Sequence, residues 1–171
     1  MPNYSHNKLT IEIIDEKSGY KQLELFKKEN MIYNEISDEY ELVFSKLIPM
    51  PKELNISTPQ HTKEEKEQAK KNLKDFGYKD WYDWRVAYWG TKWNPSTISI
   101  EIKSNKITIY YDTAWAPGEP WLNKIAKRYS KLLFKFSCYE ESGAYEGKGV
   151  VKDGTWKWEI SKPAKWVENE Q

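Results

Sequence analysis

The sequence predicts an α+β fold in which helices cover one face of a mainly antiparallel sheet. Two stretches, KLTIEII at residues 8–14 and TISIEIKSNKITIYYD at residues 97–112, alternate apolar and polar side chains with the period of β-strands. Other stretches carry apolar residues three or four apart, which is the spacing of one helix face. The 171 residues correspond to about one ordinary domain.

The first third predicts a strand, a helix and a second strand. In KLTIEII, Leu9, Ile11 and Ile13 share one side of the first strand. After Gly19, YKQLELFKKEN places Leu23 and Phe26 on one helical face, so a helix begins there. Residues 39–47, EYELVFSKL, predict the second strand, which ends where the prolines of IPMP interrupt backbone hydrogen bonding.

Residues 50–95 predict an inserted helical region. Its first helix opens with a capping box at Thr62, closes at Gly77 and has Ala69, Leu73 and Phe76 as its apolar stripe. The stretch DWYDWRVAYWGTKW at residues 80–93 then carries six aromatic side chains in fourteen residues. A helix so broadly apolar is expected to be largely buried against the sheet.

The second half predicts a hairpin, a helix and further strands. TISIEIK and KITIYYD form the hairpin, with Ile98, Ile100 and Ile102 on the same face as Ile107, Ile109 and Tyr111. A helix follows at about 119–129, then a strand at LLFKFSCYEE and a hairpin of residues 144–151 and 155–160 around Asp153-Gly154. One domain is predicted over residues 1–162, and the polar tail 163–171 is predicted to fray.

This order of elements fits a ferredoxin-like antiparallel sheet with helices on one face and an inserted helical region. The term refers to shape alone, because a chain with one cysteine cannot hold an iron–sulfur cluster.

Composition and charge exclude several classes of protein. The 27 basic and 26 acidic residues give a formal net charge of +1, so the chain lacks the strong positive field of non-specific nucleic-acid or membrane-surface binding, although a local basic patch remains open. The single cysteine, Cys138, excludes an internal disulfide and indicates a reducing cytoplasm. The chain shows no signal-peptide pattern and no apolar run of about 18 residues, so neither secretion nor membrane insertion is predicted.

No catalytic residue, metal site or cofactor is predicted. The two histidines, His6 and His61, lie far apart, and no His or Cys pair has metal-ligand spacing. Cys138 lies in an apolar strand and is expected to be a buried structural thiol. Glu140 and Glu141 are neighbours on a strand, where successive side chains point to opposite faces and do not converge.

Five blocks together resemble the YubB-like ferredoxin-fold family of plasmid and phage proteins. They are MPNYSHNKLTI, FSKLIPMP, WYDWRVAYWGTKWNP, YYDTAWAPGEPW and FKFSCYEESGAYEGKG, and they span about residues 1–150. The resemblance implies a ferredoxin-like domain and an origin in a mobile genetic element, but no established activity. Tyr4-Ser5 stands where a Trp-Cys pair is expected, and Ala116-Pro117-Gly118 stands where Ser-Pro-Pro is usual.

The aromatic stretch and the loop YDTAWAPGEPW supply the candidate binding residues, which are Trp84, Arg85, Trp89, Lys92, Trp93, Asp112 and Trp115. In one interpretation the rings form core and Arg85 is stacked or paired, with Asp112 as the expected partner. In the other, the helix ends at a cleft where Arg85, Lys92 and the indoles take up an anion, a base or a peptide side chain. Both interpretations can hold at once.

Three functions are carried forward. The first is a non-enzymatic interaction protein of a phage or plasmid that binds a protein and thereby counters a host defence. The second is a nucleic-acid-binding accessory protein, against which stand the balanced charge and the absence of a basic and aromatic run on any predicted strand. The third, with least support, is an enzyme on a nucleotide-like substrate that uses Arg85, Asp112 and the Glu140-Glu141 region. The oligomeric state is not predicted.

Overall fold

The computed structural model describes residues 3–152 and 154–161. The strands of this part of the chain are β1 (Tyr4–Ile13), β2 (Met31–Asn34), β3 (Glu39–Leu42), β4 (Ser96–Lys103), β5 (Lys106–Ala114), β6 (Leu132–Glu140), β7 (Glu146–Lys152) and β8 (Thr155–Ser161). The α-helices are α1 (Glu16–Asn30), α2 (Phe44–Leu47), α3 (Lys63–Phe76), α4 (Trp81–Trp89) and α5 (Glu119–Arg128). The predicted frayed tail, residues 163–171, lies outside the described residues, as does Asp153 of the predicted terminal turn.

The main sheet has six antiparallel strands in the order β4-β5-β1-β6-β7-β8. Four of these strands and two helices, in the chain order β1, α1, β4, β5, α5 and β6, form the βαββαβ arrangement of a ferredoxin-like domain. The last hairpin, β7 and β8, extends this sheet beyond β6. The predicted fold class, a ferredoxin-like antiparallel sheet with helices on one face, is confirmed.

Side-chain alternation divides the main sheet into two faces. On one face, Leu9, Ile11, Ile109 and Phe134 are fully buried in a core shared with α1 and α5. Burying each such side chain stabilises the fold by about 1.5–3 kcal/mol. We call the opposite side the open face; it is formed by the alternate residues of the same strands, which on the central strand β1 are His6, Lys8, Thr10 and Glu12.

Residues 39–47 do not form the predicted strand. Only Glu39–Leu42 forms a strand, and it pairs with the unpredicted β2 in a separate two-stranded sheet. The chain then turns into the short helix α2, where Phe44 is buried and the backbone N–H of Ser45 donates to Oδ1 of Asn94 at 3.0 Å. The apolar residues of EYELVFSKL are spaced in a way that fits either a strand or a helix. Contacts with distant residues therefore determine where the helix forms.

The first helix begins earlier than predicted, before Gly19 rather than after it. Asp15 caps α1 by accepting from the backbone N–H of Ser18 at 3.1 Å. Gly19 lies inside the first turns because the helix passes close to β1 there. A Cβ at this position would lie 2.7 Å from Cβ of Ile13.

The inserted helix α3 begins and ends as predicted, with the Thr62 capping box and Gly77 in the left-handed conformation. Its predicted apolar stripe is wrong at Leu73, which is half-exposed. The buried position is instead Asn72, whose side-chain amide donates to the carbonyls of Glu53 and Lys79 at 2.8 and 3.0 Å. A polar side chain can occupy this buried position because its hydrogen bonds are made.

The hairpin of β4 and β5 is confirmed, but its two strands are buried differently. Ile107, Ile109 and Tyr111 of β5 are fully buried, as predicted. On β4, Ile98 is 62% exposed and Ile102 is also exposed. The register shifts between Thr97 and Ser99, and β4 is the edge strand, so its isoleucines do not all lie under the helices.

Candidate functional site

The aromatic segment forms α4, whose ends are fixed by local chemistry. Asp80 caps the N-terminus, and its carboxylate accepts from the backbone N–H of Tyr82 at 3.0 Å and from the side-chain amide of Gln60 at 2.8 Å. Gly90 ends the helix with a positive φ of 77°. This turn approaches the start of α5 so closely that a Cβ on Gly90 would lie 2.5 Å from Cδ of Pro120.

The expectation that α4 is largely buried is wrong, since only Trp84 and Trp89 of its residues are buried. The Trp89 indole N–H donates to the carbonyl of Ile48 at 2.9 Å, and the Trp84 ring stacks on Tyr88 with centroids 4.5 Å apart. These two predicted site residues belong to the core. The other aromatic side chains of the segment, Trp81, Tyr82, Tyr88 and Trp93, keep contact with solvent.

Arg85 lies between two indoles. Its guanidinium carbon is 5.0 Å from the ring centre of Trp81 and 5.1 Å from that of Trp89, and Nη1 donates to the carbonyl of Lys92 at 3.4 Å. Burial lowers the pKa of this guanidinium from its ordinary value. Arg85 is therefore held by two rings of its own helix, and its hydrogen bond to the Lys92 carbonyl connects α4 to the loop that follows it.

The predicted pair between Arg85 and Asp112 is wrong. The alternation of β5 sends Tyr111 and Thr113 to the core and Asp112 to the open face. There Oδ1 of Asp112 lies 2.7 Å from Nδ1 of His6, directly across the ladder on β1. Asp112 is thus separated by the strand itself from the helices that hold Arg85.

The two predicted segments nevertheless meet, through a different contact. The Lys92 ammonium lies 4.1 Å from the ring centres of both Trp93 and Trp115, so it is held between two indoles. Tyr82 packs edge-on against Trp115 with centroids 6.4 Å apart. We call this group, Trp81, Tyr82, Lys92, Trp93 and Trp115, the tryptophan surface. Trp93 is 38% exposed and Trp115 is 44% exposed.

Trp115 is held in a strained backbone conformation. Its φ is +67°, and the N–H of Ala116 donates to the carbonyl of Ala114 at 2.9 Å, which closes a turn of three residues. A positive φ costs a residue with a side chain about 1–2 kcal/mol. Two further bonds hold the turn: the N–H of Trp115 donates to Asn3, and its carbonyl accepts from the hydroxyl of Tyr145 at 3.0 Å.

Sequence reasoning missed several members of this site. Tyr82 was not among the candidate binding residues, and neither Asn3 nor Tyr145 was connected to the loop of Trp115. The positive φ of Trp115 leaves no signal in the sequence, because the residue is not glycine. The only local indication of an irregular turn is the Pro117-Gly118 pair that follows.

Glu140, Glu141 and Cys138 have structural contacts. Glu140 accepts from the backbone N–H groups of Ser142 and Ala144 and from the Ser142 hydroxyl, which lowers the pKa of its carboxyl. Glu141 instead accepts from the N–H of Tyr4, so the two carboxylates do not converge. Cys138 is buried, as predicted, and burial raises the pKa of its thiol to about 11.

In residues 3–152 and 154–161, no group of three or more His, Cys, Asp or Glu side chains could hold a metal ion. Within the same ranges, none of the helices has both the length and the apolar character needed to cross a membrane.

Residues 88–169 match the family model described as a ferredoxin-like domain in Api92-like protein. Among solved structures, the crystal structure of a protein api92 from Yersinia pseudotuberculosis is similar, with a TM-score of 0.46 and 10% identity, covering 96% of this chain and 100% of that chain. No protein with a curated description matches significantly. The family match confirms the predicted ferredoxin-like fold, and the matching family is described as Api92-like. It does not support the YubB-like name or a plasmid or phage origin.

Proposed function

We propose that the chain is a non-enzymatic protein-binding module whose contact site is the tryptophan surface. The observation that carries the proposal is the Lys92 ammonium held between the partly exposed rings of Trp93 and Trp115. Tryptophan is enriched among the few residues that dominate binding energy at protein interfaces. Backbone strain such as that of Trp115 clusters at functional sites, which supports a contact role for this residue.

The chemistry of the surface indicates what the partner presents. The Lys92 ammonium attracts a carboxylate, and the two indoles offer flat apolar area on either side of it. When a partner removes water from such an arrangement, each cation–ring contact strengthens to about 2 kcal/mol. We infer a protein segment that carries an acidic side chain flanked by apolar ones.

The two alternatives have different support. An enzyme that uses Arg85, Asp112 and Glu140 has no support from the geometry, because these side chains lie respectively between indoles, on the open face and in a turn. Nucleic-acid binding is favoured by a separate surface, the open face of the main sheet. A phage or plasmid origin and a role against a host defence stay predictions that rest on the sequence resemblance.

The test begins with the protein purified from its own host together with any protein that co-elutes at constant stoichiometry. The partner is then produced separately, and its affinity for the wild type and for Trp115→Gly is measured by calorimetry. Glycine adopts a positive φ without strain, which offsets part of the loss of the ring's contacts with Tyr82 and Lys92, so this variant should still unfold cooperatively. Its affinity should fall at least about thirtyfold, the loss of a residue worth about 2 kcal/mol.

Matched variants complete the test. Lys92→Ala removes the ammonium and should weaken binding in the same way. Tyr33→Ala removes an exposed ring from β2, away from the tryptophan surface, and should leave affinity unchanged. A stoichiometric partner that binds Trp115→Gly and Lys92→Ala as tightly as the wild type would show that the surface is not the contact site.

A further inference from the structure

The open face of the main sheet carries no covering helix among the described residues, and its shape is shallow. Three depressions of about 410, 320 and 150 Å³ lie on it, and all three are lined by residues of the strands alone. Lys8, near the middle of β1, lines all three. Shallow depressions of this kind leave a small molecule largely in water but accommodate an extended chain laid across the strands.

Positive charge is concentrated on this face although the whole chain is nearly neutral. Five lysines line the depressions, against two lining carboxylates, those of Glu101 and Asp112, and a third on the same face, that of Glu12. The lysines come from five different strands and are Lys8, Lys103, Lys106, Lys135 and Lys148. No stretch of the sequence shows this patch, because strand pairing alone brings the lysines together.

Much of the negative charge on the open face is already paired. Glu12 lies 3.3 Å from the ammonium of Lys106 and 3.0 Å from that of Lys135, and Asp112 is bonded to His6. Within the described residues, Lys8 and Lys103 form no ion pair. Their ammonium groups can therefore take up anionic groups of a ligand.

Aromatic rings lie on the same face, and one of them is beside Lys8. The Lys8 ammonium is 5.2 Å from the ring centre of Tyr110, its direct partner across the ladder to β5. His6 lies two residues before Lys8 on β1. Its ring centre is 4.9 Å from that of Tyr139, and Tyr139 is 57% exposed. Two ring platforms thus stand on the central strands of a ferredoxin-like sheet, each next to a basic group. Unpaired nucleobases stack on rings presented in this way.

We propose that the open face binds single-stranded nucleic acid, with bases on Tyr110 and Tyr139 and phosphates near Lys8 and Lys103. A duplex keeps its bases stacked inside and cannot use the rings. A protein partner fits this face less well, because lysine is depleted from the centres of protein interfaces and Lys8 stands at the centre here. This site is separate from the tryptophan surface and does not depend on the function proposed for that surface.

The test measures fluorescence anisotropy of labelled oligouridylate and oligothymidylate, each about 12 nucleotides long, with the purified full chain. The two probes distinguish RNA from DNA, and a duplex of similar length is the negative control. Binding of one or both single strands at about 50 mM salt is expected, with an affinity that falls as salt is raised.

Variants locate the site. Tyr110→Ala and Tyr139→Ala should each raise the Kd about tenfold, and Tyr110→Phe, which keeps the ring, should bind like the wild type. Lys8→Ala should make the plot of log affinity against log salt shallower by about 0.7, the contribution of one phosphate. The matched controls Tyr20→Ala and Lys66→Ala change an exposed ring on α1 and an exposed lysine on α3 and should have no effect.

Each of the following results would overturn the proposal, provided that the variants melt like the wild type. The first is no binding of either single strand at low salt, and the second is equal affinity for the duplex. The third is wild-type affinity in Tyr110→Ala and Tyr139→Ala. If single strands do not bind but Lys8→Ala loses a partner protein, the open face is a protein-docking surface instead.

Discussion

Replacing Tyr111 by phenylalanine should stabilise the protein. The Tyr111 side chain is fully buried on β5, and its hydroxyl has no hydrogen-bond partner among the described residues. Burial also raises the pKa of this phenol well above its ordinary value. The ring itself packs edge-on against Phe44 with centroids 6.1 Å apart, a contact that phenylalanine keeps.

The magnitude follows from the cost of the buried hydroxyl. In the unfolded chain the hydroxyl is hydrated, and leaving it unpaired in the core costs about 1–3 kcal/mol. Removing the oxygen also removes its dispersion contacts, each about 0.1–0.2 kcal/mol, so part of that gain is lost. We expect a net stabilisation of about 1 kcal/mol. For a chain of this length that corresponds to a rise in Tm of about 2–4 °C.

The matched control is Tyr129→Phe, the same chemical change at another buried tyrosine. The Tyr129 hydroxyl donates to the Glu29 carboxylate at 2.7 Å and accepts from the Asn30 amide at 2.8 Å. Losing these bonds should lower the free energy of unfolding by about 2 kcal/mol, because one of them is to a charged group. Two identical substitutions should therefore change stability in opposite directions.

Urea denaturation followed by tryptophan fluorescence measures both variants against the wild type. The denaturation midpoints should move apart while the slopes stay equal, which would show that the denatured state is unchanged. A Tyr111→Phe protein that is less stable than the wild type by more than about 0.5 kcal/mol would refute the reasoning. That result would mean that the hydroxyl makes a bond in the folded protein.

Three further predictions concern the core, the site and an ion pair between helices. Ile109→Asp should abolish cooperative thermal unfolding because it buries an unpaired charge, whereas Ile98→Asp on the exposed edge should melt within a few degrees of the wild type. Arg85→Ala and Asp112→Ala should have additive effects on unfolding free energy within about 0.5 kcal/mol, and larger coupling in the double mutant would contradict their separation. The pKa of Glu29 is lowered from 4.5 to about 2 by its arginine partner on α5, so its stabilisation is complete above pH 4.5 and lost as the pH falls towards 2. Urea midpoints of the wild type and Glu29→Gln should converge over that range, and a constant difference would exclude the pair as the cause.

The sequence predicted what depends on local pattern. The hairpin of β4 and β5, the capping box at Thr62 and the end of α3 at Gly77 are each specified by a few neighbouring residues, and each is found as predicted. The burial of Cys138 followed in the same way from its place in an apolar strand.

What the sequence did not predict depends on register and on contacts between distant segments. The exposure of Ile98 follows from a bulge that shifts the pairing of β4, which alternation alone does not reveal. The basic patch around Lys8 exists only because β1 pairs with both β5 and β6. The alternation of β5 places Asp112 on the face opposite Tyr111, but its partner there, His6, is set by the register of β1 against β5 and was not predictable from spacing.

The position of Trp156 on β8 has a consequence for the order of folding during synthesis. Its buried indole packs against Phe134 and Phe136 of β6, and its N–H donates to the carbonyl of Leu122 on α5 at 2.8 Å. These partners leave the ribosome earlier and stay incompletely covered until Trp156 emerges. Because exposed apolar surface on a nascent chain promotes aggregation, a ribosome stalled just before this residue should carry a domain that chaperones recognise as unfinished.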